Sequence, residues 1–325
     1  MNNISRGSFR AALACAVLLT ACAAPVVPAT PTPEPTPTVI PTATPVAIAD
    51  LVSAANKTLA EGKFEDAERA YKDIVAARPE TAAAWVGLAR VYARRPDEGG
   101  RYPGSLEAAR KAVEAAPSNA DSLIALSSAL LADGDAAGAI KAAESATGGS
   151  TDAPSFAALA QAYLADAQFA RALSATLKAL ELDPMAPEAW RALGYVRAHD
   201  GDHGRAAEAF AKAVSLRPED PDYRVALAKQ WLAMDRFDKA EAEAAAALSR
   251  NPAHIGALMA LAAARGAQGF LSEAETVLKR AQALYPDSIQ PVLTWVRTHQ
   301  DAATADEVLQ KIRESLLRAP ASQGL

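Results

Sequence analysis

The chain has few of the residues that usually build catalytic or metal centres. Its 325 residues include two Cys and four His, and aromatic residues make up 6% of it. It contains no Gly-rich loop that ends in Lys and Ser or Thr, and no Ser or Cys lies in a nucleophile elbow. These absences argue against an enzyme, and we expect no catalytic residue, no metal and no cofactor.

Positive charge and β-type patterns are also scarce. The 33 Lys and Arg are outnumbered by 38 Asp and Glu, and they form no long basic run. Because nucleic-acid-binding proteins need a concentrated basic surface, we expect no nucleic acid partner. Half of all residues are apolar, Ala is abundant, and no alternating Val, Ile and Thr run follows residue 47. This composition favours packed helices, so we predict an all-α fold.

The most informative feature that is present is a period of 34 residues. It relates five prolines, and it also relates four alanines that each precede one of the first four prolines by twelve residues. A period in this range indicates one small helical unit stacked many times, an architecture that presents surfaces to partners. The residues that show it are Pro184, Pro218, Pro252, Pro286, Pro320, Ala172, Ala206, Ala240 and Ala274.

The residues around these landmarks resemble a known repeat. Residues 187–218 read PEAWRALGYVRAHDGDHGRAAEAFAKAVSLRP, which resembles a tetratricopeptide repeat with a bulky residue at position four, small residues at eight and twenty, and Pro at thirty-two. The same frame fits eight copies that begin near residues 48, 82, 120, 153, 187, 221, 255 and 289, so we assign the repeat domain to residues 48–322. The resemblance implies a right-handed α-α superhelix, a solenoid of helical hairpins whose concave wall binds a protein or an extended peptide.

Within each copy, the sequence predicts two amphipathic helices that approach closely. Apolar residues recur at three- and four-residue spacing, and small residues at positions eight and twenty permit the approach. Glycines, among them Gly62 and Gly201, are predicted at the break between the paired helices, where positive φ is needed. Asp220 followed by Pro221 predicts an N-cap with Pro in the first turn.

The resemblance also indicates which residues line the concave wall. Copies four to six place Gln161, Arg191, Tyr195 and Lys229 at wall positions of their first helices, and copy two adds Arg90. We expect these five residues to form a groove that binds an acidic or extended segment of a partner protein; a solvated concave face is the alternative. The same positions predict an otherwise apolar wall that includes Val86, Val225 and Leu232.

Members of the family that hold a C-terminal carboxylate do so with Lys, Asn and other basic residues at five positions of three consecutive copies. The corresponding residues of this chain agree with that pattern only at Asn56, which disfavours a clamp of this kind. They are Val52, Asn56, Gly87, Asp121 and Ala125.

Two strings look like metal sites but coincide with turns of the repeat frame. His199 and His203 flank two Asp, and the run from Asp133 to Glu144 has part of the spacing of a calcium loop. Since each string lies where one helix of a pair ends and the next begins, we expect neither to bind metal. The tryptophans occupy core positions of the frame, and we interpret them as packing residues: Trp85, Trp190, Trp231 and Trp295.

The start of the chain predicts export and lipid attachment. Residues 1–10 carry Arg6 and Arg10 without an acid, and eleven largely apolar residues follow. At about 1.5 Å per residue this run is too short to span a bilayer of roughly 30 Å, so we interpret residues 1–21 as a signal peptide. The sequence from Leu19 to Cys22 resembles a bacterial lipobox, in which the Cys receives lipid; an ordinary secretory signal is the alternative.

The segment after Cys22 predicts an extended tether. Residues 23–46 contain eight Pro, six Thr and one charged residue, a composition that favours polyproline-like chain with a reach on the order of 70 Å. We therefore assign residues 22–47 to a lipid-anchored linker, and we expect an extracytoplasmic protein held at a bacterial membrane.

These features together favour a non-catalytic scaffold that helps assemble an envelope, secretion or pilus complex. The alternative is a lipoprotein that binds a small ligand or glycan and serves an enzyme or a transporter. Self-association stays open. So does a partner-binding role for the turn of copy two, which is four residues longer than the frame requires.

Replacing Cys22 with Ala should release the protein from membranes, because it removes the thiol that would carry the lipid. Metabolic labelling with a radioactive fatty acid should mark the wild type and a Cys15→Ala control, but not Cys22→Ala. Tight membrane association of the unlabelled variant would contradict the anchor.

Overall fold

A computed structural model describes residues 47–94 and 104–284, and in these two stretches the chain forms fourteen helices and no strand. They are α1 (Ile48–Ala60), α2 (Phe64–Ala77), α3 (Ala82–Tyr92), α4 (Ser105–Ala115), α5 (Ala120–Ala132), α6 (Ala136–Gly149), α7 (Ala153–Ala165), α8 (Phe169–Leu182), α9 (Pro187–His199), α10 (His203–Leu216), α11 (Pro221–Ala233), α12 (Phe237–Arg250), α13 (Ile255–Ala267) and α14 (Leu271–Leu284).

The seven odd-numbered helices begin at the residues predicted for the first seven copies, and each packs against the even-numbered helix that follows it. The all-α fold of stacked hairpins is therefore confirmed. The eighth copy, the lengthened turn of copy two, Cys22 and the tether lie outside the described residues. None of the described helices is long and apolar enough to cross a membrane.

Close approach within a hairpin depends on the small residue at position eight. In copy five this residue is Gly194 of α9, and a Cβ atom added there would lie 2.7 Å from the ring of Phe210 in α10. Phe210 itself is fully buried. The ring thus occupies the volume that a side chain at position 194 would need, and it fixes the distance between the two helices.

The turn between paired helices uses positive φ, as predicted. Gly62 and Gly201 adopt φ of 75° and 76°, a conformation that glycine reaches without steric cost. Copies four and six have no glycine there, and Ala167 and Asp235 take up the same turn with φ of 54° and 56°. The turn geometry is therefore kept where the sequence does not favour it.

Successive hairpins are joined by hydrogen bonds to the carbonyl of the proline at position thirty-two of a copy. The indole Nε1 of Trp85 donates to the carbonyl of Pro79 at 2.7 Å, and that of Trp190 donates to Pro184 at 2.8 Å. In copy six Arg224 replaces the tryptophan, and its Nε donates to Pro218 at 3.1 Å. These tryptophans are half-buried, as is Trp231, so the three that the structure describes serve the scaffold as expected.

The inner layer of the superhelix consists of the odd-numbered helices, and it is closed except at one joint. Neighbouring first helices approach each other closely along the array, but α9 and α11 do not. The third position of the copy explains this difference, because α11 has Tyr223 where copies two to five and copy seven have Ala or Ser. Those small residues are fully buried: Ala84, Ser122, Ser155, Ala189 and Ala257.

Gly194→Ala should destabilise the protein, because the new methyl group must displace the Phe210 ring. We expect a loss of about 1–3 kcal/mol in the free energy of unfolding, the usual cost of overpacking a core. Gly148→Ala is the matched control, since a Cβ atom there meets nothing within 4 Å, and it should stabilise α6 by up to roughly 1 kcal/mol. Urea unfolding followed by circular dichroism measures both; equal stabilities would contradict this account of the hairpin.

Candidate functional site

Three of the five predicted groove residues lie on α9 and α11, the two helices of this joint. Arg191 and Tyr195 are one turn apart on α9, and Lys229 lies on α11. Arg191 is 9% exposed, while Tyr195 and Lys229 are half-buried. The two helices lack the close contact of the other neighbouring first helices, and we call this joint the recess.

Arg191 is the most unusual member of this cluster. Its guanidinium lies 5.6 Å from the centre of the Tyr223 ring, within the range of a cation–π contact. Its Nε is buried and has no hydrogen-bond partner, and no ion pair with Arg191 is found among the residues that the structure describes. Burial removes hydration from this charge, but electrostatic interactions with Tyr195, Tyr223 and the two acids Asp222 and Asp220 outweigh that effect and raise the pKa of Arg191.

Tyr223 is the side chain that holds the joint open. A second guanidinium, from Arg217 at the end of α10, lies 5.8 Å from the centre of its ring, and Nη1 of Arg217 donates to its hydroxyl at 3.4 Å. Arg217 is fixed in turn by an ion pair of 2.7 Å with Glu188 on α9. The ring therefore lies between two cations and acts as a rigid spacer.

Two carboxylates at the start of α11 border the recess. Asp222 faces Nε2 of His254 at 2.8 Å, and Asp220 accepts a hydrogen bond from the backbone N–H of Asp222 at 3.0 Å, which confirms the predicted N-cap. Burial raises the pKa of Asp222, but the hydrogen bond from His254 and the charges of His254, Arg191 and Arg94 together outweigh burial, and the pKa falls. Burial and the charge of Asp222 raise the pKa of Asp220.

The two remaining polar groups of the cluster respond to burial in opposite directions. Burial lowers the pKa of Lys229, and the charge of Asp222 opposes this shift only in part. Burial raises the pKa of Tyr195 to about 12, although the charge of Arg191 counteracts it. The Tyr195 ring packs edge-on against Phe210 at 5.0 Å. Both groups thus lie in a poorly hydrated part of the wall.

The concave surface also brings distant copies into electrostatic range. The charge of Arg94, just beyond the end of α3, helps to lower the pKa of Asp222 and limits the rise of the pKa of Asp220. Since charge effects fade quickly with distance in water, the end of α3 lies near the start of α11.

Gln161 and Arg90 lie outside the cluster. Gln161 is half-buried on α7, the next first helix before α9. Arg90 is exposed and lies 3.6 Å from Asp121, so it joins α3 to α5. The expected apolar wall is wrong in part, because the inner helices close over it: Val86, Val225 and Leu232 are 3%, 4% and 2% exposed.

The two strings that looked like metal sites have structural roles. The ring of His199 stacks on Phe169, whereas Nδ1 of His203 lies 3.0 Å from Oε1 of Gln230. In the other string, Asp135 caps α6 by accepting from the N–H of Gly138 at 2.8 Å. No group of three potential metal ligands occurs within residues 47–94 and 104–284.

A second concavity, of about 650 Å³, lies between α6, α7 and α8. Several of its polar groups are paired with one another. The Tyr163 hydroxyl donates to Glu144 at 2.9 Å, and Lys178 pairs with Glu181 at 3.0 Å. The remaining cation of its wall, Arg171, donates a hydrogen bond to Gln168 at 2.9 Å and lies over the Tyr163 ring.

Sequence reasoning missed Tyr223, Asp222 and His254. The signal for Tyr223 was present, because a column of Ala and Ser at the third position is interrupted by one aromatic residue. The pair of Asp222 and His254 had no such signal. It forms because the N-cap of α13 lies beside the first turn of α11, which is a property of the stack.

Comparison with known proteins settles the family. The family model for tetratricopeptide repeats matches residues 53–99, 97–154 and 157–221, about half of the chain. The chain belongs to the tetratricopeptide repeat family. Tetratricopeptide repeats typically form non-catalytic scaffolds that bind proteins or peptides, so this chain carries the surface of an interaction scaffold.

Similar proteins include one curated relative and several solved structures. The mouse (Mus musculus) protein O-mannosyl-transferase TMTC1 is 32% identical over 110 residues, which are 33% of this chain and 12% of that protein. The human IFIT1 dimer with m7Gppp-AAAA has a TM-score of 0.65 at 17% identity over 85% of this chain and 71% of that one. The APC/C hetero-tetramer Cut9-Hcn1 has a TM-score of 0.58 at 16% identity, over 82% of this chain and 48% of that one.

These likenesses support the fold of the tetratricopeptide repeat and nothing finer. The chain spans about an eighth of the length of the mouse relative and about half of the Cut9-Hcn1 chain that it matches. At 16% and 17% identity, the two structural neighbours share architecture without sharing a site.

Lys229→Met should stabilise the repeats, because it removes a desolvated cation that has no ion pair in the described part of the chain. We expect the free energy of unfolding at pH 7 to rise by roughly 0.5–2 kcal/mol. Lys212→Met, on the exposed side of α10, is the control and should change it by less than about 0.5 kcal/mol.

The stabilisation should also depend on pH. The pKa of Lys229 in the folded protein is below its ordinary value of 10.5, so the wild type gains stability as the pH rises from the folded pKa towards that value. The difference between Lys229→Met and the wild type should therefore shrink in alkaline urea titrations. A difference that stays constant would contradict a desolvated Lys229.

Proposed function

We propose that this protein is a non-catalytic scaffold that binds an extended segment of a partner protein in the groove formed by α7, α9 and α11. The observation that carries the proposal is Arg191 at the joint between α9 and α11, which is nearly buried and whose Nε has no hydrogen-bond partner. No requirement of the fold explains this arrangement, because an Ala or Ser in place of Tyr223 would close the joint as at the other copies.

An extended ligand suits the order of the side chains along the wall. Gln161, Tyr195 and Lys229 all occupy the ninth position of their copies, on the consecutive first helices α7, α9 and α11. They therefore follow one another along the axis of the superhelix. A peptide without secondary structure presents polar backbone groups and alternate side chains to such a row.

A protein partner fits the charges of the wall better than nucleic acid does. Asp220 and Asp222 border the recess, and Asp222 keeps its negative charge because its pKa is lowered. A phosphate backbone would bring a row of negative charges past these two carboxylates, whereas a peptide need not. Its backbone N–H groups could donate to Asp222, whose side chain is 48% exposed.

We further propose that the scaffold acts outside the cytoplasm of a bacterium, held by a lipid on Cys22. The sequence before residue 48 supports this location through the lipobox-like Cys and the tether rich in Pro and Thr. Two acyl chains on one residue anchor a protein durably, whereas one does not. A tethered solenoid would hold a partner near the membrane while an envelope, secretion or pilus complex assembles.

Site-specific cross-linking in living cells tests the groove. A benzophenone amino acid at Gln161 should capture a partner protein, and the double charge reversal Arg191→Glu with Lys229→Glu should abolish that capture by repelling the ligand. Mass spectrometry of the cross-linked product identifies the partner.

The controls use the outer surface of the same molecule. A benzophenone amino acid at Lys212, exposed on α10, should capture nothing that depends on Arg191, and reversal of the exposed Lys141 and Lys212 should leave capture at Gln161 unchanged. A product of twice the protein's mass would identify a second copy as the ligand. If capture at Gln161 survives the reversal in the groove, the proposed site is wrong.

A further inference from the structure

We infer that His254 is a pH-sensitive cap at the joint between α11 and α13. Its neutral ring caps α13 and contacts Asp222 on α11 at the same time, whereas its protonated ring can keep only the contact with Asp222. The inference concerns the free protein, so it does not depend on the ligand proposed above. It goes beyond the proposed function because it gives the array a joint whose structure changes with acidity.

Both nitrogens of the His254 ring have a partner. Nδ1 accepts a hydrogen bond from the backbone N–H of Ala257 at 3.2 Å, which makes His254 the N-cap of α13, and Nε2 lies 2.8 Å from Oδ1 of Asp222. Because a backbone N–H can only donate, Nδ1 carries no proton. The proton of the neutral ring is therefore on Nε2, which donates it to the carboxylate. Only this tautomer of the neutral ring satisfies both contacts.

Copy seven differs from the others at two positions that make these contacts possible. His254 is the only histidine that directly precedes the first helix of a copy, and Gly256 is the only glycine at the second position of any copy. A Cβ atom added at Gly256 would lie 3.0 Å from Cγ1 of Val225 and 3.3 Å from Cε1 of His254. The missing side chain thus leaves room for the ring beside the first turn of α13, where the side chain of His254 is 10% exposed.

Protonation removes the acceptor on which the cap depends. A proton on Nδ1 would face the N–H of Ala257 across 3.2 Å, and two donors repel each other at this distance. The N–H keeps one partner, because it also lies 3.1 Å from the backbone carbonyl of His254. Meanwhile the contact with Asp222 becomes an ion pair and grows stronger. The acid form therefore holds α11 as before but caps α13 less well.

Charged groups on the surrounding elements influence the protonation of the ring in opposite directions. Asp222 is in direct contact with it, and Asp220 adds a second negative charge at the start of α11, so both favour the protonated form. The cations of the neighbouring elements oppose it. They are Arg191 on α9, Arg94 just beyond α3, Lys229 on α11, Arg250 at the end of α12, and Arg280 on α14, which donates to the carbonyl of Pro252 at 2.6 Å.

The change also reaches the joint between α9 and α11. The negative charges of Asp222 and Asp220 both favour the charged form of Arg191. A positive charge on His254 would offset part of the charge of Asp222, so it would weaken this support for Arg191. Acidification thus alters the electrostatics of two neighbouring joints through one ring.

Nuclear magnetic resonance of the full chain in detergent micelles tests the cap. Nitrogen-15 labelling of the four His shows which ring nitrogens carry protons, and labelling of Ala shows the amide of Ala257. The signals are assigned by their loss in His254→Asn and Ala257→Ser. Imidazoles ordinarily titrate between about pH 5 and 8, so at about pH 8.5 we expect a proton on Nε2 and none on Nδ1.

The amide of Ala257 reports the loss of the cap. On acidification to about pH 4.5, Nδ1 of His254 should gain a proton, and the amide should shift with the same midpoint as the ring. Its protection against hydrogen exchange, corrected for the effect of pH on the intrinsic rate, should fall roughly threefold or more.

Three variants separate the cap from a general effect of acid. His254→Asn keeps an acceptor for the N–H of Ala257 without a titrating ring, so the amide should no longer follow the pH. Asp222→Asn keeps the size of the side chain but removes its charge, so the midpoint of the ring should move down by about 0.5 pH units or more. His199→Gln is the control, since that ring stacks on Phe169 of α8, and it should leave both signals as in the wild type.

Each outcome decides the matter. A proton on Nδ1 at about pH 8.5, or a ring that does not titrate down to about pH 4.5, overturns the inference. So does an Ala257 amide that ignores the titration of the ring, or that titrates equally in His254→Asn. Circular dichroism verifies folding; if His254→Asn is unfolded, the displaced midpoint in Asp222→Asn identifies the ring, and the titration of the wild type carries the test.

Discussion

The structure depends on how closely two helices can approach when one of them has no side chain in the way. Gly194 admits the ring of Phe210, and alanines have the same effect at position eight of most other copies. Once the paired helices are this close, the third position of each copy faces the preceding first helix, and Ala or Ser there lets the inner layer close. The concave wall is therefore a consequence of small residues, and its surface is set by the places where they are missing.

The recess at α9 and α11 is such a place. Tyr223 replaces a small residue, the joint opens, and polar groups that would otherwise face solvent become partly enclosed beside it. Enclosure explains the properties of the site together: the raised pKa of Tyr195, the lowered pKa of Lys229 and the unpartnered Nε of Arg191. One substitution in the packing pattern thus separates two neighbouring first helices at the place where these perturbed groups lie.

The 34-residue period predicted the positions of the helices well, because it reflects local packing that recurs in every copy. The starts of α1 to α13, the glycine turns and the cap at Asp220 follow from contacts within a copy or between neighbours. The burial of Val225 and Leu232 could not be foreseen, because it depends on how tightly the inner helices close. The effect of Arg94 on the pKa of Asp222 was also hidden, since it links two copies that are far apart in the sequence.

The open joint has a mechanical meaning as well. A stack of helical hairpins is elastic, and its stiffness at each joint comes from the side chains that pack together there. Between α9 and α11 the backbones lack the close contact that braces the neighbouring joints, and a single aromatic ring between two guanidiniums takes its place. Bending of the superhelix would therefore concentrate at this joint, where a ligand would alter the curvature of the array as it binds.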